Sequence, residues 1–206
     1  MTHWLIIKKA EAFKGIHSWN ISQGGHFLAP YVGTGICLAA SCYYMSMHKR
    51  GSSLREGLGL QHGSRNLFAQ LNEESITFLK SQQTRFGNTI NTTTFKSWVD
   101  EESKLKRKGY GQGELTMAKL SASIRGILPS GGYMMLIVAP AEESKHAVVA
   151  YFGARRNNRV PVRFFDINVG EFLFRDHVRF LFFFDWLLRC VYANNQPATY
   201  EFQHFL

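Results

Sequence analysis

The 206-residue chain predicts a single α+β domain spanning residues 1–206. Three observations predict it. The length suffices for one core and is short for two. Helical periodicity dominates up to about residue 127. After "PSGG" the pattern changes to short β-branched and aromatic runs separated by turn formers, the signature of an antiparallel meander. Helices first and an antiparallel sheet afterwards make an α+β domain.

Residues 1–32 are mixed and turn-rich ("SQGGH", "APYVG"). Over 36–49, Ile36, Ala39, Ala40, Tyr43, Tyr44 and Met47 recur at helical spacing. Residues 52–127 read as mostly helical, broken at "QHGSRN" and "RFGNTINTTTF". The stretch "DEESKLKRKGYGQGE" reads as a surface loop or exposed helix end, with a basic cluster at Lys104, Lys106, Arg107 and Lys108. "YMMLIVAP", "HAVVAYFG" and "VRFFDINVGEFLF" are the strands, a helix over 176–194 follows, and "TYEFQHFL" is a candidate last strand. Residues 172–192 form the most apolar stretch, but five charges interrupt it, too many for a membrane span. At helical period Phe180, Leu181, Phe184, Leu187, Leu188 and Val191 share one side, with Arg175, Arg179 and Arg189 opposite. That is a helix packed on a core, or alternatively one lying on a membrane surface.

The net charge of +9 calls for an acidic partner surface: anionic lipid, nucleic acid or an acidic protein. Nucleic acid is not expected; the loop arginines Arg155, Arg156 and Arg159 and the 104–108 cluster read either as contacts to an anionic membrane surface or as a scattered basic surface that aids solubility. Cys37, Cys42 and Cys190 are odd in number and irregularly spaced, so they make no disulfide framework and point to reduced thiols. No zinc spacing occurs, and no metal or other cofactor is expected. Residues 1–15 lack the apolar core and cleavage site of a secretory signal peptide, and Thr2 excludes N-myristoylation of the chain as it stands.

One cross-strand pair carries chemistry. If "HAVVAYF" (146–152) and "VPVRFFD" (160–166) close as a symmetric hairpin with Phe152 opposite Val160, His146 falls opposite Asp166 on the same face. A carboxylate there fixes the ring tautomer and stabilises the imidazolium. Asp166 is one of only four aspartates and interrupts an apolar run, which favours a role over a surface polar pair. Upstream, "GTGIC" leads flexible backbone into a helix at Cys37. A helix N-terminus favours the thiolate and offers N–H groups to an oxyanion. A cysteine on one element with an oriented histidine on another is the layout of thiol catalysis. Cys42 and Cys190 read as structural.

"GICLAAS", "KHAVVAYF" and "FFDINVGEF" resemble, in this order, the three catalytic blocks of the YopT/AvrPphB-type papain-like cysteine proteases. The resemblance implies a papain-like fold, in which a helical part carries the nucleophile helix on an antiparallel sheet. It implies Cys37 as nucleophile, His146 as general base and acid, and Asp166 as orienter. Gln23 and Thr34 are candidate side-chain oxyanion donors beside the Cys37 N–H. Where the family often has Trp after the cysteine, this chain has Tyr43 and Tyr44. It also implies a monomeric bacterial effector or toxin, secreted without a cleavable signal peptide, that cleaves a protein substrate in the target-cell cytosol. Relatives with the same triad include glutamine deamidases and acyltransferases, and a catalytically silent binding module is the reading from a third class.

Overall fold

The computed structural model describes residues 3–19, 36–57, 73–87, 90, 92–140, 145–192 and 198–206. Among these, the helices are α1 (His3–Ala12), α2 (Cys37–Lys49), α3 (Leu54–Gly57), α4 (Glu73–Phe86), α5 (Thr93–Ser97), α6 (Met117–Ile127) and α7 (His177–Leu187). Wider π-helical turns extend α5 over Trp98–Glu102 and α7 over Leu188–Tyr192. The strands are β1 (Ile16–Trp19), β2 (Arg107–Glu114), β3 (Gly132–Pro140), β4 (His146–Phe152), β5 (Val162–Asp166), β6 (Gly170–Phe174) and β7 (Ala198–Phe205). They form one sheet in the order β1-β6-β5-β4-β3-β7-β2, with every neighbouring pair antiparallel.

Both faces of the sheet are covered, so its central strands read as continuous apolar runs. Along β3, Met135 and Ile137 point to one core, and Met134, Leu136 and Val138 to the other. The first core is closed by α2, α4 and α5, the second by α1, α6 and α7. In the second, Phe164 packs against Phe172, Phe180, Phe183 and Phe184. Each fully buried ring contributes about 1.5–3 kcal/mol. Side-chain oxygens at three helix starts accept from backbone N–H groups: Thr92 from Phe95, Thr116 from Lys119, and Asp176 from Arg179.

Four sequence-based expectations change. "VRFFDINVGEFLF" is two strands, because Ile167–Val169 turn the chain and Gly170 takes a φ of +97°, open to glycine at little cost. "RKGYGQGE" is strand β2 rather than loop or helix: Tyr110, Gln112 and Glu114 alternate with glycines along an edge, a pattern too polar to read as a strand. The region 1–19, read as mixed, contains a helix and an edge strand. The β4–β5 register also differs. Phe152 pairs with Val162, not Val160, because Pro161 and the Arg156–Arg159 bridge lengthen the turn by two residues. A slip of two preserves the face, so His146 and Asp166 remain on the same side as diagonal neighbours.

Candidate active site

The site lies at one end of the sheet, where β4 begins and β5 ends. Antiparallel pairing puts these two ends side by side, which brings His146 and Asp166 together across 20 residues of chain. His146 Nε2 lies 2.9 Å from Asp166 Oδ1. Asp166 is fully buried, and the His146 side chain is 13% exposed, so the pair is shielded from water yet reachable.

Two further groups hold the carboxylate. The Asn168 backbone N–H donates to Oδ1 at 2.8 Å, closing the turn that leads into β6. The Tyr192 hydroxyl donates to Oδ2, and the Tyr192 ring lies 5.0 Å from the His146 ring. The Asn168 side-chain nitrogen sits 3.3 Å from His146 Nε2. Sequence reasoning missed Tyr192. Periodicity treats it as the tail of an apolar helix, and only the π-helical turn over Leu188–Tyr192 departs from that period.

Cys37 is the first residue of α2, preceded by Ile36 as the N-cap. The helix is seated on β4 by side chains one turn apart: Cys37 Sγ lies 3.8 Å from the Lys145 carbonyl, and Ser41 donates to the Ala147 carbonyl at 3.3 Å. Ala39 and Ala40 are fully buried, and Ala39 faces Phe78 and Phe86 of α4 and Trp98. The Ala39 N–H, one of the unpaired donors of the first helical turn, donates to Gln83 Oε1 from α4 at 3.1 Å. Gln83 Nε2 in turn donates to the Gly87 carbonyl at 2.6 Å. Gln83 thus caps the helix from outside, a role that no local sequence signal announces.

The electrostatics follow from these contacts. Burial pushes the Cys37 thiol up, but the hydrogen bond and charge of His146 outweigh it and leave the thiol below its usual value. Burial pushes His146 down, but the charge and hydrogen bond of Asp166, with the Cys37 partner, raise it to about 10. Burial pushes Asp166 up, but His146, Tyr192 and the Asn168 N–H hold it below the usual carboxylate range. All three shifts favour a thiolate–imidazolium pair backed by an ionised carboxylate. Cys42, on the same helix, goes the opposite way: burial and the nearby Cys37 drive its thiol well above the usual value. Cys190 is half-buried, in the π-helical turn.

The sequence profile of a family described as Yersinia/Haemophilus virulence surface antigen (Peptidase_C58) matches residues 9–205. The chain belongs to the Peptidase_C58 family. It is thus placed in a family of bacterial effector cysteine proteases. Among solved structures it resembles the Pseudomonas avirulence protein AvrPphB, at 14% identity and a TM-score of 0.52, over 83% of this chain and 92% of that one. This likeness supports the α+β architecture of helices on an antiparallel sheet. Two others are PatoxP, a cysteine protease-like domain of the Photorhabdus asymbiotica toxin PaTox, and the YopT domain of the Pasteurella multocida PfhB2 toxin. PatoxP shares 12% identity, with a TM-score of 0.42 and coverage of 97% of this chain and 59% of its own. The YopT domain shares 18%, with a TM-score of 0.33 and coverage of 91% and 90%. No curated protein matches the chain.

For a Peptidase_C58 member the surroundings of Cys37 are informative. Leu38, Gln83, Ile137, Lys145 and Ala147 line a shallow cleft beside the thiol. Lys145 is held at its rim by Glu201 at 3.2 Å. Of the two oxyanion candidates from sequence, Gln23 and Thr34 both lie outside the described residues. Among the described residues no cluster of histidine, cysteine and acidic side chains could hold a metal ion, and no helix is long and apolar enough to cross a membrane.

Proposed function

We propose that this Peptidase_C58 member is a cysteine protease that uses Cys37 as nucleophile, His146 as general base and acid, and Asp166 as the group that orients and charges the imidazole. The observation carrying this reading is geometric: Cys37 opens α2 with its Sγ 3.8 Å from the Lys145 carbonyl, the residue before His146, and His146 Nε2 lies 2.9 Å from the fully buried Asp166 carboxylate. The pKa directions agree, with His146 favouring the Cys37 thiolate and burial disfavouring that of Cys42.

In the first half-reaction the Cys37 thiolate attacks the scissile carbonyl carbon, and the carbonyl electron pair moves to oxygen. The Cys37 backbone N–H, at the positive end of α2, is placed to donate to that oxyanion. Collapse breaks the C–N bond, and His146 gives its proton to the departing amine. In the second, neutral His146 takes a proton from water. The resulting hydroxide attacks the thioester, and collapse releases a carboxylic acid and the Cys37 thiolate, with the proton back on His146. Asp166 keeps its charge throughout and holds Nε2, leaving Nδ1 for the thiol and the leaving group.

The substrate is a protein of a target cell, and the site of action is that cell's cytosol. It is reached by secretion from a bacterium. Residues 1–206 work as one catalytic domain, as a monomer. The test is substrate trapping with Cys37→Ala in target-cell lysate, followed by mass spectrometry of captured proteins treated with wild type. A cut chain supports the protease reading. A deamidation-sized mass shift or an added acyl group assigns the same triad to another acyl acceptor. No covalent labelling of Cys37 by a thiol-reactive probe overturns thiol catalysis altogether.

A further inference from the structure

Five exposed cations lie at one end of the sheet. Pairing brings Phe152, Val162 and Phe174 into one row, with Leu173 opposite Ile16. This row is the end of the sheet away from His146. Around β1, β4, β5 and β6 the connections at this end carry cations: Lys14 before β1, Arg155, Arg156 and Arg159 between β4 and β5, and Arg175 after β6. All five are exposed. Among the described residues none of them pairs with a carboxylate.

The arginine loop is a fixed platform rather than a loose tip. Arg156 and Arg159 exchange both backbone hydrogen bonds, at 2.8 and 2.9 Å. Asn157 and Asn158 between them both take positive φ, the tight-turn geometry asparagine tolerates. Arg155 also donates to the Asn158 side chain at 3.1 Å.

Beside these cations stand apolar groups in water. Ile16 is 53% exposed, Val178 48% and Phe182 61%. They belong to the same end: the Phe174 ring packs onto Gly15, and Phe182 stacks on Phe13 at 6.3 Å. Exposed large apolar groups concentrated in one place mark an interaction surface. Cations select an anionic partner, and aliphatic groups such as Ile16 and Val178 have no use against a phosphodiester backbone. A bilayer with anionic headgroups takes both, phosphates on the arginines and acyl chains on the apolar groups.

We infer that the sheet end formed by Lys14, Arg155, Arg156, Arg159 and Arg175, with Ile16, Val178 and Phe182, is a docking face for anionic phospholipid bilayers. The docked protein presents its thiol site away from the lipid. β4 runs from His146 at the site to Phe152 at the docking end, about 20 Å at some 3.4 Å per residue. The face stands independently of the protease reading.

The experiment is co-sedimentation of the full chain with vesicles of phosphatidylcholine alone and of phosphatidylcholine mixed with phosphatidylserine, across salt. Each basic group near an anionic leaflet strengthens binding about fivefold. The triple variant Arg155→Gln, Arg156→Gln, Arg159→Gln is therefore expected to lose on the order of 100-fold in partitioning. Val178→Ser with Phe182→Ser should weaken binding to the same vesicles at high salt, where charge is screened. A double variant on α4 and α6, Lys80→Gln with Lys119→Gln, should partition like wild type. Circular dichroism checks the fold of each, and single Arg→Gln variants replace any triple that unfolds. Three outcomes overturn the inference: binding independent of phosphatidylserine, unchanged binding in folded arginine variants, or retention on RNA with none on vesicles.

Discussion

Replacing Tyr192 with Phe removes one oxygen and tests whether the buried carboxylate is held as an anion. Asp166 Oδ2 then loses its donor, while the ring stays beside His146. A hydrogen bond to a charged group is worth about 1.5–3 kcal/mol, and here the acceptor is buried. Without that donor Asp166 should titrate higher in the variant than in wild type. The sign of the stability change follows. A carboxylate whose folded pKa is depressed contributes stability above its unfolded pKa and loses it as pH falls through the folded pKa. Tyr192→Phe should therefore cost roughly 1.5–3 kcal/mol at neutral pH and progressively less in acid. The assay is urea unfolding of both proteins at neutral pH and at pH values descending through the carboxylate range. The second readout is the rate of Cys37 alkylation by iodoacetamide against pH, whose acid limb should rise with Asp166. A deficit equal at all pH values, or an alkylation profile identical to wild type, would refute the reasoning: Tyr192 would then be a packing residue.

Other substitutions read the remaining contacts. Cys37→Ala should abolish turnover and leave unfolding near wild type; His146→Ala should abolish turnover and also lower stability, because the buried Asp166 loses its counter-charge. Cys42→Ala should stay active with a stability loss on the order of 1 kcal/mol; inactive but folded Cys42→Ala would mean the nucleophile is the other thiol. Alkylation of Cys37 should proceed at neutral pH, below the ordinary thiol range, and His146→Ala should move its midpoint upward, since the lowering comes from that imidazole. A midpoint unchanged in His146→Ala would break the proposed ion pair. Gln83→Leu should leave the Ala39 N–H without its partner and reduce kcat more than KM, with Gln83→Glu, which keeps an acceptor, recovering part of it; equal kcat in Gln83→Leu and wild type would remove Gln83 from the positioning groups.

Legibility of the sequence depended on the range of the forces involved. α2, β3, β4 and β7 were readable because their burial repeats locally, at a period of 3.6 or in short apolar runs. β2 was not: its strand state is imposed by β7, which offers a ladder from Arg107↔Phe205 to Glu114↔Thr199 to a glycine-rich segment with little preference of its own. His146 and Asp166 were found from hairpin arithmetic with the wrong partner sum, and survived because an error of two residues keeps the face. Tyr192 and Gln83 left no trace in any local pattern. Each acts across a tertiary contact, Tyr192 on Asp166 at 26 residues' separation and Gln83 on Ala39 at 44.

The distribution of anchors along α2 explains why Cys37 stays in register with strands more than a hundred residues away. At the site end of the helix, Cys37 and Ser41 contact the start of β4, and Gln83 holds the Ala39 N–H. Its far half is bound more strongly. Tyr44 donates to the buried Glu171 at 2.6 Å and stacks on Phe165 at 4.6 Å, and His48 Nδ1 lies 2.7 Å from the Tyr133 hydroxyl. Glu171 also receives the Ser18 hydroxyl at 2.7 Å from the edge strand β1. The helix is therefore tied to β6 and β3 at one end, and its stiffness transmits that position to Cys37 at the other. Phe165 and Asp166 are adjacent on β5, so one strand positions the helix with the first and the imidazole with the second. Thiol and base thus share a single reference frame, and loosening Tyr44 would misplace Cys37 relative to His146 without touching either.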